Sequence, residues 1–107
     1  GDKNCLMEVK GVTLEDNGVV RFPDAPTERG VKHIYELMKA VKEGYEAYIM
    51  FVVQMKGVKY FEPNDVTHKE FGEALRKAEK AGVNIVAADC SVEPDTLSIA
   101  DYVKVKL

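Results

Sequence analysis

The sequence predicts a single α/β domain in which a mixed β-sheet is flanked by two main helices. Three observations predict it. Strand-like and helix-like segments follow one another as β-β-α-β-α-β. Two apolar-striped helices each run into a glycine, at Gly44 and Gly82. An Asn17-Gly18 pair between two alternating segments marks a tight hairpin. One domain is all that 107 residues suggest.

The elements follow in order. Residues 5–10 alternate, with Cys5, Met7 and Val9 on one face and Leu6, Glu8 and Lys10 on the other, which reads as a strand. Gly11 is expected to allow a bulge or a close backbone approach before residues 12–14. The hairpin then leads into Val19-Val20-Arg21-Phe22. Pro23 and Pro26 break that strand and open a helix over residues 26–43, whose apolar face carries Val31, Ile34, Tyr35, Leu37, Met38 and Val41. Gly30 falls on the same face and points to close packing on a sheet. Residues 46–54 are apolar on both faces, as a central strand covered on both sides should be, so helices are expected on both faces of the sheet. A short extended piece over 58–61 precedes a second helix over 67–81. Residues 83–88 form another buried strand, 91–95 a turn, and 96–107 one or two terminal strands.

Composition narrows the function. Hydrophobic residues make up 46% and charged residues 31%, the balance of a globular domain and not of a disordered one. The longest apolar stretch, residues 47–53, is far shorter than the roughly 20 residues needed to cross a bilayer, so no membrane partner is expected. No secretion signal is visible, and two cysteines, Cys5 and Cys90, make neither a disulfide framework nor a four-ligand zinc site. They read as reduced core thiols of a cytoplasmic protein. The net charge of −3 differs from the basic balance usual for a dedicated DNA-binding domain, so nucleic-acid contact must come from a local patch or from a further part of the protein. The first residue is Gly, not Met, which points to a processed or shortened chain.

Chemistry can sit in a few places. Glu8 and Lys10, two apart on a strand, point the same way, and a carboxylate beside an ammonium suits phosphodiester chemistry with Mg²⁺ or Mn²⁺. A Glu-x-Lys spacing occurs once, and about one is expected by chance in this composition, so a solvated ion pair is the plain alternative. Asp24 reads either as a helix cap or as a carboxylate of the site, and Thr27 and Glu28 suit a first helical turn. Arg29 and His33 are one turn apart and, with Lys32, could grip phosphate; a solvated helix flank is the alternative. His68 reads as a surface or first-turn residue. Gln54 reads as a strand end or as a polar group at the sheet edge.

These segments together resemble a known family. The run Leu6-Met7-Glu8-Val9-Lys10-Gly11-Val12-Thr13-Leu14, the run Phe22-Pro23-Asp24-Ala25-Pro26-Thr27-Glu28-Arg29-Gly30 with His33, the run Phe51-Val52-Val53-Gln54, and Ala81-Gly82-Val83 look like the sugar fermentation stimulation protein family, SfsA. The resemblance covers essentially the whole chain. It implies the C-terminal domain of that family, with a restriction-endonuclease-like fold of the PD-(D/E)xK type, preceded in family members by an OB-like domain. It also implies a DNA-binding protein linked to regulation of sugar metabolism. On this resemblance Glu8 and Lys10 fall on the Glu and Lys of the nuclease signature, and Asp24, Thr27, Glu28, Arg29, His33 and Gln54 line the same cleft.

The family pattern also has an Asp on a strand before Glu-x-Lys, in a Ser-Arg-x-Asp stretch, whereas this chain begins just before Glu8. Asp2 is six residues away, about 20 Å along an extended strand and too far to share an ion with Glu8. The expectation is a metal site with Glu8 as one ligand that stays incomplete unless Asp24 or Glu28 fills in, with weak or absent Mg²⁺ or Mn²⁺ binding and no cleavage of DNA by the chain as it stands. DNA contact is expected mainly through the missing N-terminal domain. The competing readings are a DNA-binding transcriptional regulator module without turnover and a small-molecule sensor of sugar metabolism. A homodimer stays open as an assembly.

Overall fold

The computed structural model describes residues 4–55, 57–92 and 97–107, with backbone only for residues 90–92 and 97–101. Nine elements follow in order: β1 Cys5–Val12, β2 Leu14–Asp16, β3 Val19–Phe22, α1 Glu28–Lys42, β4 Glu46–Val53, β5 Tyr60–Pro63, α2 Lys69–Ala81, β6 Asn84–Val92 and β7 Leu97–Val103. They build two sheets. The larger has the strand order β1-β4-β6-β7, parallel through β1, β4 and β6 and antiparallel at β7. The smaller has the order β2-β3-β5 and is joined to the end of the chain by a bridge between Phe61 and Val105.

Local chemistry explains most of these boundaries. Asn17 and Gly18 both adopt positive φ, 53° and 85°, the backbone of the twist-matched two-residue hairpin between β2 and β3. Thr27 caps α1, its hydroxyl accepting the Gly30 N–H at 3.0 Å, so the helix starts at Glu28 and Pro26 lies outside it. Asp24 is therefore not the cap. The chain leaves α1 through Gly44 at φ 93°, and α2 ends on Gly82 in the left-handed region at φ 106°.

The core lies between the larger sheet and the two helices. All four phenylalanines of the sequence meet there: Phe51 stacks on Phe61 with centroids 4.2 Å apart, and Phe22 stands 5.1 Å from Phe71 and 5.6 Å from Phe51. Ile34 and Leu37 of α1 and Leu75 and Ala78 of α2 pack on Ile49, Phe51 and Val53 in the same cluster. Three hydrogen bonds, Arg21 to Glu62, Thr27 to His68 and Asn64 to Pro23, each tie residues 41 apart in the sequence.

Both helices thus lie on one face of the larger sheet, which corrects the expectation of helices on both. The apolar character of β4 on its second face is real, but Val52 and Ala88 with Met50 form a separate cluster that contains no residue of either helix. The register continues this second face in rows across the strands: Val9 beside Met50 beside Val86, and Gly11 beside Val52, Ala88 and Tyr102. Other differences follow from the same layering. Cys5 is exposed on this face and is not a core thiol, while the Cys90 side chain lies outside the described ones. Gly11 continues β1 in unbroken register with Val52, without a bulge. Tyr35 is exposed on α1, because Gly30 and Ala40 take the buried face beside Ile34 and Leu37. The short strand before α2 is shifted to Tyr60–Pro63. The expected turn over 91–95 meets β6, which runs through Val92, and its remainder lies outside the described residues.

Candidate functional site

Along β1, odd-numbered side chains face away from the helices and even-numbered ones face α1. Glu8 and Lys10 therefore point toward the helix, where register places them beside Ile49 and Phe51 of the helix-facing row. His33, in the second turn of α1, comes down to meet them. Lys10 Nζ lies 3.0 Å from His33 Nδ1 and 3.3 Å from Glu8 Oε1, and Glu8 Oε1 lies 3.1 Å from the same Nδ1. Lys10 is the most sheltered of the three, its side chain 15% exposed. The imidazole Nδ1 either accepts from the ammonium or, when it carries a proton, donates to the carboxylate; it cannot do both at once. The three side chains form a compact cluster that presents one fixed cation, one carboxylate and one group of switchable polarity.

A shallow cavity adjoins the cluster, lined by Leu6, Met7, Glu8, His33, Glu36 and Leu37. It brings in a second carboxylate, Glu36, which is exposed one turn beyond His33. Glu36 lies three residues after His33 on the same helix flank, and it is not singled out in the sequence analysis. Its spacing of three from His33 was the signal available.

The other expected site residues are distributed more widely. Arg29 and Lys32 are exposed on α1, with Arg29 one turn before His33 on its flank. Thr27 is occupied in capping, and its backbone N–H donates to His68 Nδ1 at 3.1 Å. His68 is thus a largely buried link between the starts of the two helices, not a surface residue. Glu28 is exposed in the first turn of α1, and Asp24 is exposed in the preceding loop. Gln54 lies just past β4 and lines a different cavity, with Gly11, Val12, Thr13, Val52 and Met55. The structure therefore joins Glu8, Lys10 and His33 by direct contact, while among the described residues no hydrogen bond or ion pair links Asp24, Thr27, Glu28 or Gln54 to them.

A hard divalent cation needs several oxygen ligands. Among the described residues no group of three Asp, Glu, His or Cys side chains is arranged to hold a metal. Glu8 is one carboxylate, and its Oε1 already faces Lys10 and His33. These residues do not by themselves fit Mg²⁺ or Mn²⁺. One distinct electrostatic effect appears elsewhere: the Glu46 carboxylate, then loss of hydration and the neighbouring Cys5, hold the Tyr48 phenol above the usual tyrosine range.

Comparison with known proteins adds a second line of observation. A family model described as the sugar fermentation stimulation protein RE domain matches residues 1–96. The chain is 63% identical to a sugar fermentation stimulation protein homolog of Clostridium beijerinckii, over 98% of this chain and 46% of that protein. It is 57% identical to a homolog of Desulfitobacterium hafniense, over 100% of this chain and 47% of that protein. Among solved structures, that of Pyrococcus furiosus SfsA in complex with Ca²⁺ matches with a TM-score of 0.83 and 29% identity, over 94% of this chain and 44% of that one. The chain spans just under half the length of the curated relatives it matches.

Proposed function

The chain belongs to the sugar fermentation stimulation protein family, as a match to its RE domain, and on that premise we propose that it is the nuclease-like part of a DNA-acting protein, with the phosphodiester site at Glu8, Lys10 and His33. The observation that carries the proposal is the convergence of Glu8 and Lys10 from β1 with His33 from α1 within 3.3 Å beside a cavity.

Each residue has a part that its chemistry allows. Hydrolysis of a phosphodiester adds a water oxygen to phosphorus and expels a sugar oxygen, and negative charge builds on the non-bridging oxygens in between. The Lys10 ammonium, held by its contacts to His33 and Glu8, is a fixed cation for that charge. The Glu8 carboxylate can orient the attacking water and accept its proton. Arg29 and Lys32, exposed on α1, can hold neighbouring phosphates and set the register of the strand. Mg²⁺ or Mn²⁺ belongs to the proposal for the longer polypeptide, which must add oxygen ligands to Glu8; the Pyrococcus furiosus relative was solved with Ca²⁺. Among the described residues no helix is long and apolar enough to cross a membrane; a role in the cytoplasm, in regulation of sugar metabolism, is part of the same proposal.

The second reading is a DNA-binding module without turnover. It is favoured by the way Glu8, Lys10 and His33 contact one another, which leaves the carboxylate engaged within the protein. A plasmid-nicking time course in Mg²⁺ or Mn²⁺, on the polypeptide at the full length of its relatives, separates the two. The expected result is metal-dependent nicking that falls at least about 100-fold in Glu8→Ala and in Lys10→Ala while the circular dichroism spectrum is unchanged. Nicking that survives Glu8→Ala overturns the site. Absence of nicking together with salt-dependent binding establishes the second reading.

A further inference from the structure

The two helices run side by side in the same direction. The hydrogen bond from the Thr27 N–H to His68 Nδ1 joins their starts. A Cβ on Gly82 would stand 3.3 Å from Val41 Cγ1, so their ends meet as well. Toward that closing end the seam between them opens into a cleft lined by Tyr35, Met38 and Ala81 and by Lys39, Lys42 and Lys77. Tyr35 is 46% exposed, Ala81 and the three lysines are exposed, and Met38 is half-buried, so the cleft is open to solvent. It lies on the flank of α1 that meets α2, whereas His33 and Glu36 line the cavity on the flank that meets β1.

The charge around this cleft runs against that of the chain, which is acidic overall with 18 Asp and Glu to 15 Lys and Arg. Elsewhere the cations are paired: Lys10 with Glu8, Arg21 with Glu62, Lys69 with Glu73 and Arg76 with Asp65. Among the described residues the ammonium groups of Lys39, Lys42 and Lys77 have no hydrogen bond and no ion pair. The nearest carboxylates along the helices are engaged elsewhere. Glu73, four residues before Lys77, takes Lys69 at 3.8 Å, and Glu36, three before Lys39, lines the cavity beside His33. The dipole of α1 accounts for Lys39 and Lys42 in its last turn. It does not account for Lys77 on α2, or for the apolar surface left open among the three.

We propose that this cleft is a docking site for an acidic peptide segment of a partner protein, which seats one aliphatic side chain against Met38 and Ala81 and sets carboxylates opposite Lys39, Lys42 and Lys77. Charge complementarity fixes the sign of the occupant, and the lining fixes its anchor. The lysine stems extend the apolar wall while their ammonium groups stay in water. Burial of the anchor supplies affinity, and the rim charges supply steering and register. A nucleic-acid strand fits less well. The lining offers base edges donors but, apart from the Tyr35 hydroxyl, no good side-chain acceptor, so a base seated there leaves polar groups unpaired. The docking site is separate from the phosphodiester site and does not depend on it.

An array of short fluorescein-labelled peptides tests this, each with a central Leu, Ile or Met flanked by Asp and Glu. Each is titrated by anisotropy against the 107-residue chain and against the polypeptide at full family length. Members of the array are expected to bind both, more weakly as salt rises, and at least about tenfold more weakly in the double variant Lys39→Glu with Lys77→Glu. Both positions are exposed, so circular dichroism and the urea midpoint should not move. Exchanging the central residue for Ser should also weaken binding by at least about tenfold. Peptides with Lys in place of Asp and Glu are expected to bind the double variant better than the parent. Absence of binding across the array, binding unchanged in the double variant, or binding as tight without the aliphatic residue each overturns the proposal. Binding by the short chain alone also overturns it, because the cleft is then filled within the longer polypeptide. Tighter binding of oligothymidylate or of phosphatidylglycerol vesicles through the same lysines gives the cleft to nucleic acid or to a membrane surface and overturns it too. The assay needs no catalysis, so its failure and the failure of the nuclease reading are separate results.

Discussion

Thr27 carries three tasks within one turn of chain. Its hydroxyl closes the first turn of α1, its backbone N–H meets His68, and its side chain packs against Gly30. A Cβ at Gly30 would stand 2.9 Å from Thr27 Cγ2 and 3.1 Å from Phe71 Cε2, so the position is closed to larger residues by a cap on one side and a core ring on the other. Gly30→Ala is expected to destabilise the fold by about 1–3 kcal/mol through overpacking, and Thr27→Ala by about 1 kcal/mol through loss of the cap. Urea midpoints at unchanged slope measure both, and a stabilised Gly30→Ala would contradict the packing described. The Asp24 to Gly30 run was legible as distinctive in the sequence, but which oxygen capped the helix was not. Asp24, Thr27 and Glu28 all have suitable chemistry, and only the three-dimensional path of the loop decides among them.

At the level of elements, the four-phenylalanine knot is what holds α2 to the two sheets. Phe71 projects from α2 into contact with Phe22 of β3 and Phe51 of β4, and it is fully buried. Truncating it leaves a ring-sized void between three elements that cannot easily collapse together. Phe71→Ala is expected to cost about 3–5 kcal/mol, with the loss seen equally by fluorescence and circular dichroism if unfolding stays two-state. The element order, the hairpin at Asn17-Gly18 and both helix ends were legible, because each depends on local backbone chemistry. The side of the sheet on which α2 lies was not. Residues 46–53 are apolar on both faces whichever way the helices fall, so periodicity alone leaves the layer unassigned. The meeting of Glu8, Lys10 and His33 was half legible: strand alternation pairs the first two, and helix spacing joins His33 to Glu36, but the docking of α1 on β1 comes from the core.

For the molecule as a whole, charge and length set the expectations. With a net charge of −3, the domain has no general attraction for phosphate, so the DNA contact proposed above would rest on the exposed α1 cations within a longer polypeptide. Binding of a short duplex by that polypeptide is expected to weaken steeply as salt rises, and Arg29→Ala should weaken it about equally for unrelated sequences. Fluorescence anisotropy at several salt concentrations measures both; salt-independent binding would remove the phosphate role of α1. The hydrogen bonds that tie residues 41 apart have a further consequence, for the order in which the chain is made. The hairpin of β2 and β3 finds its partner within microseconds. Arg21, Pro23 and Thr27 must wait for Glu62, Asn64 and His68 to be synthesised, an interval on the order of 2–8 s at ribosomal speed. During that interval the first helix leaves the ribosome with its apolar stripe still unburied, so its exposure to chaperones opens with the synthesis of α1 and ends when α2 arrives.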